Sequence, residues 1–545
     1  MKVLVSDNLS ATGVDILKKE SGLEVDVKTG LSKEELIAII PEYDGLIVRS
    51  ATKVVAEIIE AATNLKVIGR AGIGVDNIDL DAAGQKGVIV MNAPEGNLIT
   101  TAEHSMALLL SMSRNISRAS WKLKNEKWAP KEFMGVELFE KTLGIIGFGR
   151  IGSVVADRAR AFQMKILVHD PYISQERAEK AGVELVELKD LLGRSDFLSL
   201  HTPGLADGKA LLGKEEFDQM KPGIRIVNCA RGSLIDDDAL IEAIKEKKVA
   251  QAALDVYTKE PLDLESPLLK VDEITCTPHL GASTGEAQEK VAIAICDQII
   301  DYLKYGNVRN AVNVPSIDAE TLAKIKPYLV LGEDLGSFLS QIIDGALTRI
   351  EIQYNGEVAG LSVEPISIAI LKGLLNRTID GVNMVNAPFI AKERGVEVQE
   401  SKSNEVHEYT NTVQVKVTTQ KGTHQVTGSI FGKGDSRITQ LEEYSLEGVL
   451  SKNMLVLNNM DVPGVIGNLG NILGKHNLNI AGFHLGRMED GGKAVAIINI
   501  DSPPTTEALR ELRDTANILN VHSVSLKTIA HKKSVASSSD GATLF

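Results

Sequence analysis

One stretch of the sequence decides the fold: Thr142-Leu-Gly-Ile-Ile-Gly147-Phe-Gly149-Arg150-Ile-Gly152. The apolar run before Gly147 is typical of a buried parallel strand, and residues 151–161 carry the apolar spacing of a helix without proline. The glycines therefore stand at a strand-to-helix turn, where the backbone can approach a pyrophosphate and the helix N-terminus favours its negative charge. This segment predicts a Rossmann-type, doubly wound nucleotide domain.

A carboxylate follows these glycines in the position that a bound dinucleotide requires. The next apolar run ends at Asp170, about 20 residues beyond the glycines. Its oxygens can accept hydrogen bonds from ribose hydroxyls, and its charge would repel a 2′-phosphate. A bare GxGxxG could be an ordinary glycine-rich turn, but here strand, helix and carboxylate occur together. We therefore predict NAD as the cofactor.

The charge balance argues against two classes of partner. The 545 residues contain 59 Lys and Arg and 73 Asp and Glu, which gives a formal net charge of −14 at pH 7. Because phosphate backbones and anionic membranes are held by clustered basic residues, we expect no nucleic acid and no membrane as partner. A small anionic substrate stays compatible with this balance, since a local cationic pocket is enough to bind it.

The cysteines and the first residues indicate the compartment. Only three cysteines occur, Cys229, Cys276 and Cys296, without the spacing of metal ligands or of a disulfide framework. Residues 1–7 are typical of a short strand rather than of a signal peptide. We therefore expect a cytoplasmic protein that has no metal site.

Two helical patterns connect the nucleotide domain, residues 98–284, to a first lobe. Residues 1–97 alternate short β-rich runs with helical patterns, which is α/β order. The pattern of residues 101–123 can lead into the nucleotide domain, and that of residues 284–305 can lead back. The first lobe is then discontinuous, residues 1–97 and 285–315, and we expect a flavodoxin-like α/β domain.

The remaining chain predicts two smaller α+β units. Residues 316–451 begin with a helical pattern and continue as a polar, β-rich segment. Residues 452–528 follow the order strand, helix, strand, strand, helix, strand, which is the βαββαβ order of ferredoxin-like folds. Residues 529–545 are rich in Ser, Lys and Gly, and we expect a disordered tail.

Five motifs resemble the D-isomer-specific 2-hydroxyacid dehydrogenases. They are Val48-Arg49-Ser-Ala-Thr, Gly69-Arg70-Ala-Gly72-Ile-Gly74-Val-Asp-Asn-Ile-Asp, Asn228-Cys-Ala-Arg231-Gly, Asp255-Val-Tyr-Thr-Lys-Glu260-Pro and Thr277-Pro-His279-Leu-Gly-Ala-Ser-Thr284. The segment from Asp461-Val-Pro-Gly to Asn479-Ile-Ala is similar to an ACT domain. The chain as a whole resembles the long form of the family. The resemblance implies that the first lobe binds substrate, that residues 316–451 are an intervening domain, and that residues 452–528 are regulatory.

The resemblance also implies a reaction, the NAD-dependent oxidation of 3-phospho-D-glycerate to 3-phosphohydroxypyruvate, which begins the phosphorylated route to L-serine. Two alternatives stay open. A hydroxypyruvate or glyoxylate reductase would use the same catalytic residues without a phosphate site. A non-catalytic, NAD-sensing binding protein is the alternative of another class, because some members of the superfamily act as transcriptional corepressors.

Oxidising a secondary alcohol requires a base and a cation beside the hydride acceptor. His279 follows an apolar run on a Pro-His-Leu-Gly turn, and the ordinary pKa of a histidine suits reversible proton transfer. Glu260 can accept a hydrogen bond from this imidazole, and Arg231 can hold a carboxylate through its bidentate fork. Taken singly, these residues could be a packed histidine, a solvated loop carboxylate and a surface ion pair. The family motifs favour the catalytic interpretation.

The predicted cofactor residues combine the glycine turn with positions that the resemblance supplies. They are Gly147, Gly149, Arg150, Ile151, Gly152, Asp170, Thr202, Cys229, Asp255, Gly281 and Ala282. Asp255 has two interpretations: it can contact the nicotinamide carboxamide, or it can cap a turn after the strand at residues 252–254.

The predicted substrate residues are those that can hold a carboxylate and a phosphate. They are Arg49, Ser50, Arg70, Gly72, Gly74, Asn97, Thr100 and Lys131. Short-form relatives carry a second arginine two residues after the Arg49 position, where this chain has Ala51. We therefore expect Arg70 to contact the phosphate, together with Lys53 or with Lys131 from a neighbouring subunit of a homo-oligomer, a dimer or a tetramer.

The ACT-like segment predicts an effector site. Asn459, Asp461 and Asn479 occupy the loop positions that can bind the ammonium and carboxylate of an amino acid. The resemblance implies L-serine, the end product of the pathway, bound between two chains. The alternative is an ACT domain that serves only for dimerisation.

Overall fold

The computed structural model describes residues 1–205, 208–314, 319–405, 408–432, 434–489 and 491–526. The expected boundary between residues 315 and 316 and the expected tail, residues 529–545, lie outside these ranges. The described chain forms four sheets. Mixed α/β architecture with a Rossmann-type domain, predicted from the sequence, is confirmed.

The first lobe contains a five-stranded parallel sheet. Its strand order, β2-β1-β3-β4-β5, is that of flavodoxin-like folds. The elements are β1 (Lys2–Val5), α1 (Ala11–Lys19), β2 (Glu24–Val27), α2 (Lys33–Ile39), β3 (Gly45–Val48), α3 (Ala56–Ala61), β4 (Val67–Arg70), α4 (Leu80–Lys86) and β5 (Ile89–Asn92). The strands β1, β3, β4 and β5 are apolar and buried because helices cover both faces of the sheet.

Two helices, not one, lead from this lobe into the nucleotide domain. The pattern of residues 101–123 predicts a single helix, but the structure has α5 (Leu98–Ser113) and α6 (Ile116–Asn125). The chain breaks at Asn115, whose φ of +54° is left-handed. Because asparagine tolerates this conformation, the break requires no glycine and does not interrupt the apolar spacing of the sequence. The prediction of one continuous helix was wrong.

The nucleotide domain contains a seven-stranded parallel sheet of order β12-β11-β10-β9-β6-β7-β8. This is the Rossmann order with one additional edge strand. The elements are β6 (Thr142–Ile146), α7 (Arg150–Ala161), β7 (Lys165–His169), α8 (Gln175–Lys180), β8 (Glu184–Leu185), α9 (Leu188–Arg194), β9 (Phe197–Leu200), α10 (Lys214–Gln219), β10 (Ile224–Asn228), α11 (Asp237–Lys245), β11 (Val249–Leu254) and β12 (Ile274–Cys276). The strand order reverses between β6 and β9, and ligands bind at the carboxyl ends of such strands.

A long helix, α12 (Gly285–Tyr305), returns the chain to the first lobe. Its N-cap Thr284 accepts a hydrogen bond from the backbone N–H of Ala287, and it ends at Gly306, whose φ is +67°. The helix packs on α1 and on the sheet through β4. Helix α12 thus packs with elements of residues 1–97, although the nucleotide sheet lies between them in sequence.

The third unit contains a six-stranded sheet in which β13 and β14 are parallel and all other pairs are antiparallel. The elements are α13 (Ala319–Ile342), β13 (Leu347–Gly356), α14 (Glu364–Leu375), α15 (Ala387–Glu393), β14 (Glu397–Ser403), β15 (Asn411–Thr419), β16 (Gly422–Phe431), β17 (Asp435–Leu441) and β18 (Tyr444–Val449). The unit contacts the first lobe, where the Asn383 side chain donates a hydrogen bond to the carbonyl oxygen of Gly87 (2.9 Å). Phe389 lies against Gly84 of α4 beside this contact.

The fourth unit has the predicted βαββαβ order. Its elements are β19 (Asn453–Met460), α16 (Val465–Lys475), β20 (Ile480–Arg487), β21 (Lys493–Ile500), α17 (Thr506–Arg513) and β22 (Ile518–Ser525). The antiparallel sheet has the order β20-β21-β19-β22. In β19, Leu455 and Leu457 face α16 and α17, whereas Met454 and Val456 belong to the core of the third unit. Both faces of this strand are therefore buried, which explains its continuous apolar run.

Candidate active site

The glycine turn between β6 and α7 leaves space for a dinucleotide. A side chain at Gly152 would overlap the carbonyl oxygen of Gly147, so strand and helix approach closely here. Gly147 has a φ of +91°, and a Cβ there would lie 2.5 Å from the carbonyl oxygen of His201. Apart from Gly149 and its two chain neighbours, no atom of the described residues lies within 4 Å of the Cβ position of Gly149, which is the N-cap of α7. The turn is tight on two sides and open on the side where the helix N-terminus can receive a pyrophosphate.

Asp170 stands at the end of β7, next to this turn. One carboxylate oxygen accepts a hydrogen bond from the backbone N–H of Phe148 (2.7 Å) and the other from that of Tyr172 (2.8 Å). Each carboxylate oxygen can accept more than one hydrogen bond, so both retain capacity for ribose hydroxyls. The position of Asp170 fits the predicted contact with the ribose.

Glu260 and His279 form the pair that the sequence predicts. The Nδ1 atom of His279 lies 2.6 Å from Oε2 of Glu260, while Oε1 accepts a hydrogen bond from the backbone N–H of Tyr257 (3.0 Å). The hydrogen bond to Glu260 raises the pKa of His279 above its ordinary value, although burial opposes this effect. Burial would raise the pKa of Glu260, but the hydrogen bonds from His279 and Tyr257 outweigh it and lower the pKa. Because Nδ1 is bound to Glu260, Nε2 is the ring nitrogen left for the predicted proton transfer.

Asp255 holds the turn on which His279 stands. Its carboxylate is buried; one oxygen accepts hydrogen bonds from the hydroxyl of Thr277 (2.6 Å) and the N–H of Leu280 (2.7 Å). The other oxygen accepts a hydrogen bond from the N–H of Gly281 (2.8 Å). Of the two interpretations from the sequence, the structure displays the turn cap, and a contact with the nicotinamide stays a prediction. The backbone of His279 itself has a left-handed φ of +55°.

His104 is a functional candidate that the sequence did not indicate. It lies on α5, and its Nε2 atom is 3.1 Å from a carboxylate oxygen of Asp255. In sequence it is one polar residue within a helical pattern, and only the folded chain brings it to Asp255. Potential ligand atoms of His104, Asp255 and Cys229 lie within 4.8 Å of one another. Burial raises the pKa of the Cys229 thiol to about 12, and Asp255 already accepts several hydrogen bonds, so this cluster is poorly suited to a metal.

The charges of Arg49 and Arg231 act on Arg70, and the charge of Arg231 also acts on His279. The Nε atom of Arg231 lies 3.2 Å from a carboxylate oxygen of Asp76. Burial lowers the pKa of Arg70 to about 10, and the charges of Arg231 and Arg49 contribute. The Nε atom of Arg70 is buried and has no hydrogen-bond partner among the described residues. Positive charge is thus concentrated where an anionic substrate would be held.

The backbone of the glycine-rich loop after β4 lies directly against these cations. A Cβ at Gly72 would overlap the guanidinium of Arg70, and a Cβ at Gly74 would overlap that of Arg231. The two predicted glycines therefore allow both guanidinium groups to reach the cleft.

The remaining predicted residues lie near the sites described above, except for Lys131. Around the cleft, Arg150 pairs with Glu95 (3.5 Å), the Thr100 hydroxyl lies 3.4 Å from that of Thr284, and the buried Oδ1 of Asn97 has no partner among the described residues. Ile151 lies in the first turn of α7, and Gly281 and Ala282 follow His279 in sequence. Ser50 follows Arg49, and the backbone nitrogen of Thr202 lies 3.0 Å from the Cβ position of Gly147. Lys131 lies in the exposed segment that follows α6, and no contact among the described residues joins it to the arginines.

The three predicted effector residues lie in or beside loops of the fourth unit. The Asn459 side chain is buried and donates a hydrogen bond to the carbonyl oxygen of Met460 (2.8 Å). Asp461 accepts a hydrogen bond from Arg487 (3.2 Å). The Asn479 side chain donates a hydrogen bond to Asp501 (2.7 Å). These internal partners already occupy polar atoms that an amino acid would contact.

Comparison with protein families gives three matches along the chain. Residues 106–281 match the D-isomer specific 2-hydroxyacid dehydrogenase, NAD binding domain. Residues 324–442 match the D-3-phosphoglycerate dehydrogenase intervening domain, and residues 454–517 match the ACT domain. These matches define an NAD-dependent 2-hydroxyacid dehydrogenase, and the predicted catalytic pair described above agrees with this class.

Individual relatives agree with this class and narrow it. The chain is 44% identical over 529 residues to D-3-phosphoglycerate dehydrogenase of Archaeoglobus fulgidus, covering 96% of this chain and 100% of the relative. It is 43% identical over 527 residues to the protein of the same name from Synechocystis, covering 96% and 95%. A solved glyoxylate reductase from Paecilomyes thermophila is 29% identical, with a TM-score of 0.53 over 57% of this chain and 98% of its own. The chain belongs to the D-3-phosphoglycerate dehydrogenase family.

We predict that Glu260→Gln lowers the pKa of His279 towards its ordinary value, because the hydrogen bond to the carboxylate is the largest cause of the raised pKa. The neutral imidazole then persists to lower pH. The reaction of His279 with diethyl pyrocarbonate, which requires the neutral ring, measures this through peptide mass spectrometry at a series of pH values. The midpoint of the reaction should move to lower pH.

A matched control is Glu265→Gln, which removes an exposed carboxylate that pairs with Lys270. This variant should keep the midpoint of the wild-type protein. An unchanged midpoint in Glu260→Gln would show that the carboxylate does not set the charge state of His279.

Proposed function

We propose that this protein oxidises 3-phospho-D-glycerate at C2 to 3-phosphohydroxypyruvate, with NAD as the oxidant, in the first step of the phosphorylated route to L-serine. The observation that carries the proposal is the Glu260–His279 pair together with Arg231, whose charge acts on His279 and on Arg70. Similarity over nearly the full length to relatives named D-3-phosphoglycerate dehydrogenase supports the choice of substrate.

Each residue has a defined part in this reaction. NAD, when bound at the glycine turn, supplies the hydride acceptor for the hydrogen on C2. His279 accepts the hydroxyl proton at Nε2, and Glu260 stabilises the imidazolium that results. Arg231 holds the substrate carboxylate and polarises the developing carbonyl oxygen. The proton thus leaves the hydroxyl oxygen for His279 and the hydride leaves C2 for NAD, so that a carbonyl group remains.

Arg70 distinguishes a phosphorylated substrate from its unphosphorylated analogues. Its guanidinium is largely buried, and its Nε atom lacks a partner among the described residues. A buried cation without a full set of acceptors favours an anion in the cleft. The phosphate would satisfy this group, whereas hydroxypyruvate and glyoxylate carry no second anion.

We predict that Arg70→Gln lowers kcat/KM for 3-phosphoglycerate by about 10- to 100-fold, the effect of losing charge-assisted hydrogen bonds. Activity on hydroxypyruvate should fall much less. The assay follows NADH formation with 3-phosphoglycerate and NAD, in a coupled system that removes the product. Lys66→Gln is the control, since Lys66 pairs with Asp44 at the start of β4, the end opposite Arg70.

Other results of this assay would replace the proposal. Activity of the wild-type protein on hydroxypyruvate or glyoxylate, without activity on 3-phosphoglycerate, would identify a reductase. NAD binding without turnover of any hydroxyacid would indicate the non-catalytic NAD sensor.

An exposed apolar surface supports a homo-oligomer. No residue of α6 is buried, and six large apolar side chains between residues 116 and 139 are exposed. They are Ile116, Trp121, Leu123, Trp128, Met134 and Phe139. An apolar surface of this kind marks an interface, and Lys131 lies within it, so a second copy would carry its own Lys131 into the contact.

We predict that Trp121→Glu combined with Trp128→Glu dissociates the oligomer, because charges in an apolar interface lose their hydration. Sedimentation velocity should show the wild-type protein as a dimer or tetramer and the variant as a smaller species. Tyr305→Glu, at an exposed apolar residue outside this segment, should leave the assembly intact. A monomeric wild-type protein would refute the proposal.

Two further proposals concern the effector and the compartment. L-serine would bind the ACT domain between two chains, close to Asp461 and Asn479.

We also propose that the protein is cytoplasmic, because the described residues contain three free cysteines. Cell fractionation tests this proposal. Among the described residues, no helix combines the length and the apolar character that crossing a membrane requires.

We predict that saturating L-serine lowers the initial rate by about 5-fold or more, the range of a typical coupling between sites. Asp461→Ala should weaken this inhibition, while Asp514→Ala, at an exposed carboxylate after α17, should preserve it. Turnover that is insensitive to serine in the wild-type protein would leave the ACT domain as an assembly module.

A further inference from the structure

Side chains from the first half of helix α5 contact the turn that carries His279. The hydroxyl of Thr101 donates a hydrogen bond to the carbonyl oxygen of Gly281 (3.0 Å). Three residues further along the helix, Nε2 of His104 lies 3.1 Å from Asp255 and 3.5 Å from the hydroxyl of Thr277. Two side chains of one helix thus contact both ends of the segment that includes the catalytic histidine.

His104 is one of the donors that keep the buried Asp255 charged. Burial would raise the pKa of Asp255, but the hydrogen bonds from His104, Thr277 and Leu280 outweigh it and lower the pKa. Without His104 the buried carboxylate would lack a donor, which is costly in a site closed to water. The remaining donors include the backbone of the His279 turn, so a change at Asp255 is transmitted to that turn.

Helix α5 also joins the first lobe to the nucleotide domain. It begins just after Asn97 and is the first connection between these two parts of the chain. It packs against α7, β10 and β11. The position of the His279 turn is therefore tied to the helix that joins the two lobes.

We propose that His104 is a positioning residue that acts through Asp255 to fix the turn of His279. It contacts no predicted catalytic group directly, and its effect is on the placement and the charge state of His279. This inference rests on the proposed oxidation, since that reaction assigns the proton transfer to His279. Charged groups that act on His279 are Glu260, Asp255 and Arg231.

Two amide variants separate positioning from packing. In His104→Gln the side-chain nitrogen can reach the place of Nε2, whereas in His104→Asn the shorter side chain cannot. We expect kcat for 3-phosphoglycerate to fall about 10- to 100-fold in the asparagine variant, the effect of a misplaced catalytic group, with little change in KM for NAD. The glutamine variant should recover most of this activity.

A second readout does not depend on turnover. The pH midpoint at which diethyl pyrocarbonate modifies His279 should move to lower values in His104→Asn, because a loosened turn weakens the hydrogen bond to Glu260. The midpoint should return in His104→Gln. Ser113→Ala removes a buried hydroxyl from the same helix, where it donates only to the carbonyl oxygen of Leu109 (2.6 Å), and should change neither quantity.

Three results would overturn the inference. The asparagine variant could keep both kcat and the midpoint, which would show that His104 does not act on the turn. Equal losses of kcat in both amide variants with unchanged midpoints would show a packing role. If the wild-type protein oxidises no hydroxyacid, the proposed function fails, and unchanged midpoints in both variants would separately reject the role of His104.

Discussion

The active site depends on one buried carboxylate. Asp255 follows β11 at the carboxyl end of the nucleotide sheet, and it accepts hydrogen bonds from the hydroxyl of Thr277 and from the backbone N–H groups of Leu280 and Gly281. A buried charge is stable only when its hydrogen bonds are satisfied, so the turn and the carboxylate stabilise one another. The same turn sets the left-handed backbone of His279 and aims its ring at Glu260. The predicted catalytic pair is thus positioned by a carboxylate to which the proposed reaction assigns no proton transfer.

The charge around the three arginines is opposite in sign to the net charge of the whole chain. The formal net charge is −14, yet Arg49, Arg70 and Arg231 lie close enough for their charges to act on one another. Their repulsion and the burial of Arg70 destabilise the empty cleft. Asp76 offsets part of this at Arg231, and an anionic substrate offsets more. The unfavourable energy of the cationic cluster therefore favours binding of an acid with two anionic groups over an acid with one.

Local signals account for what the sequence could predict. The nucleotide turn and the βαββαβ unit are encoded by neighbouring residues, and the structure has both. The family motifs brought together Glu260, His279 and Arg231, although they lie in separate loops. Neither the local patterns nor the family motifs indicated His104 or the break at Asn115. There is no distinctive local signal in a lone histidine within a helical pattern or in an asparagine within a polar segment. Contacts between residues far apart in the chain decide both.

The burial of β19 on both faces bears on regulation. Met454 and Val456 belong to the core of the intervening unit, so the ACT sheet and that unit share apolar packing. The intervening unit in turn contacts α4 through Phe389 and Asn383. The loop before α4 contains Gly72 and Gly74, against which the arginines pack. Packing thus links the ACT sheet to α4, and the chain before α4 leads to the loop beside Arg70 and Arg231. For serine to act through this packing, it must bind more tightly to one arrangement of these units than to another, since only differential affinity shifts a conformational equilibrium.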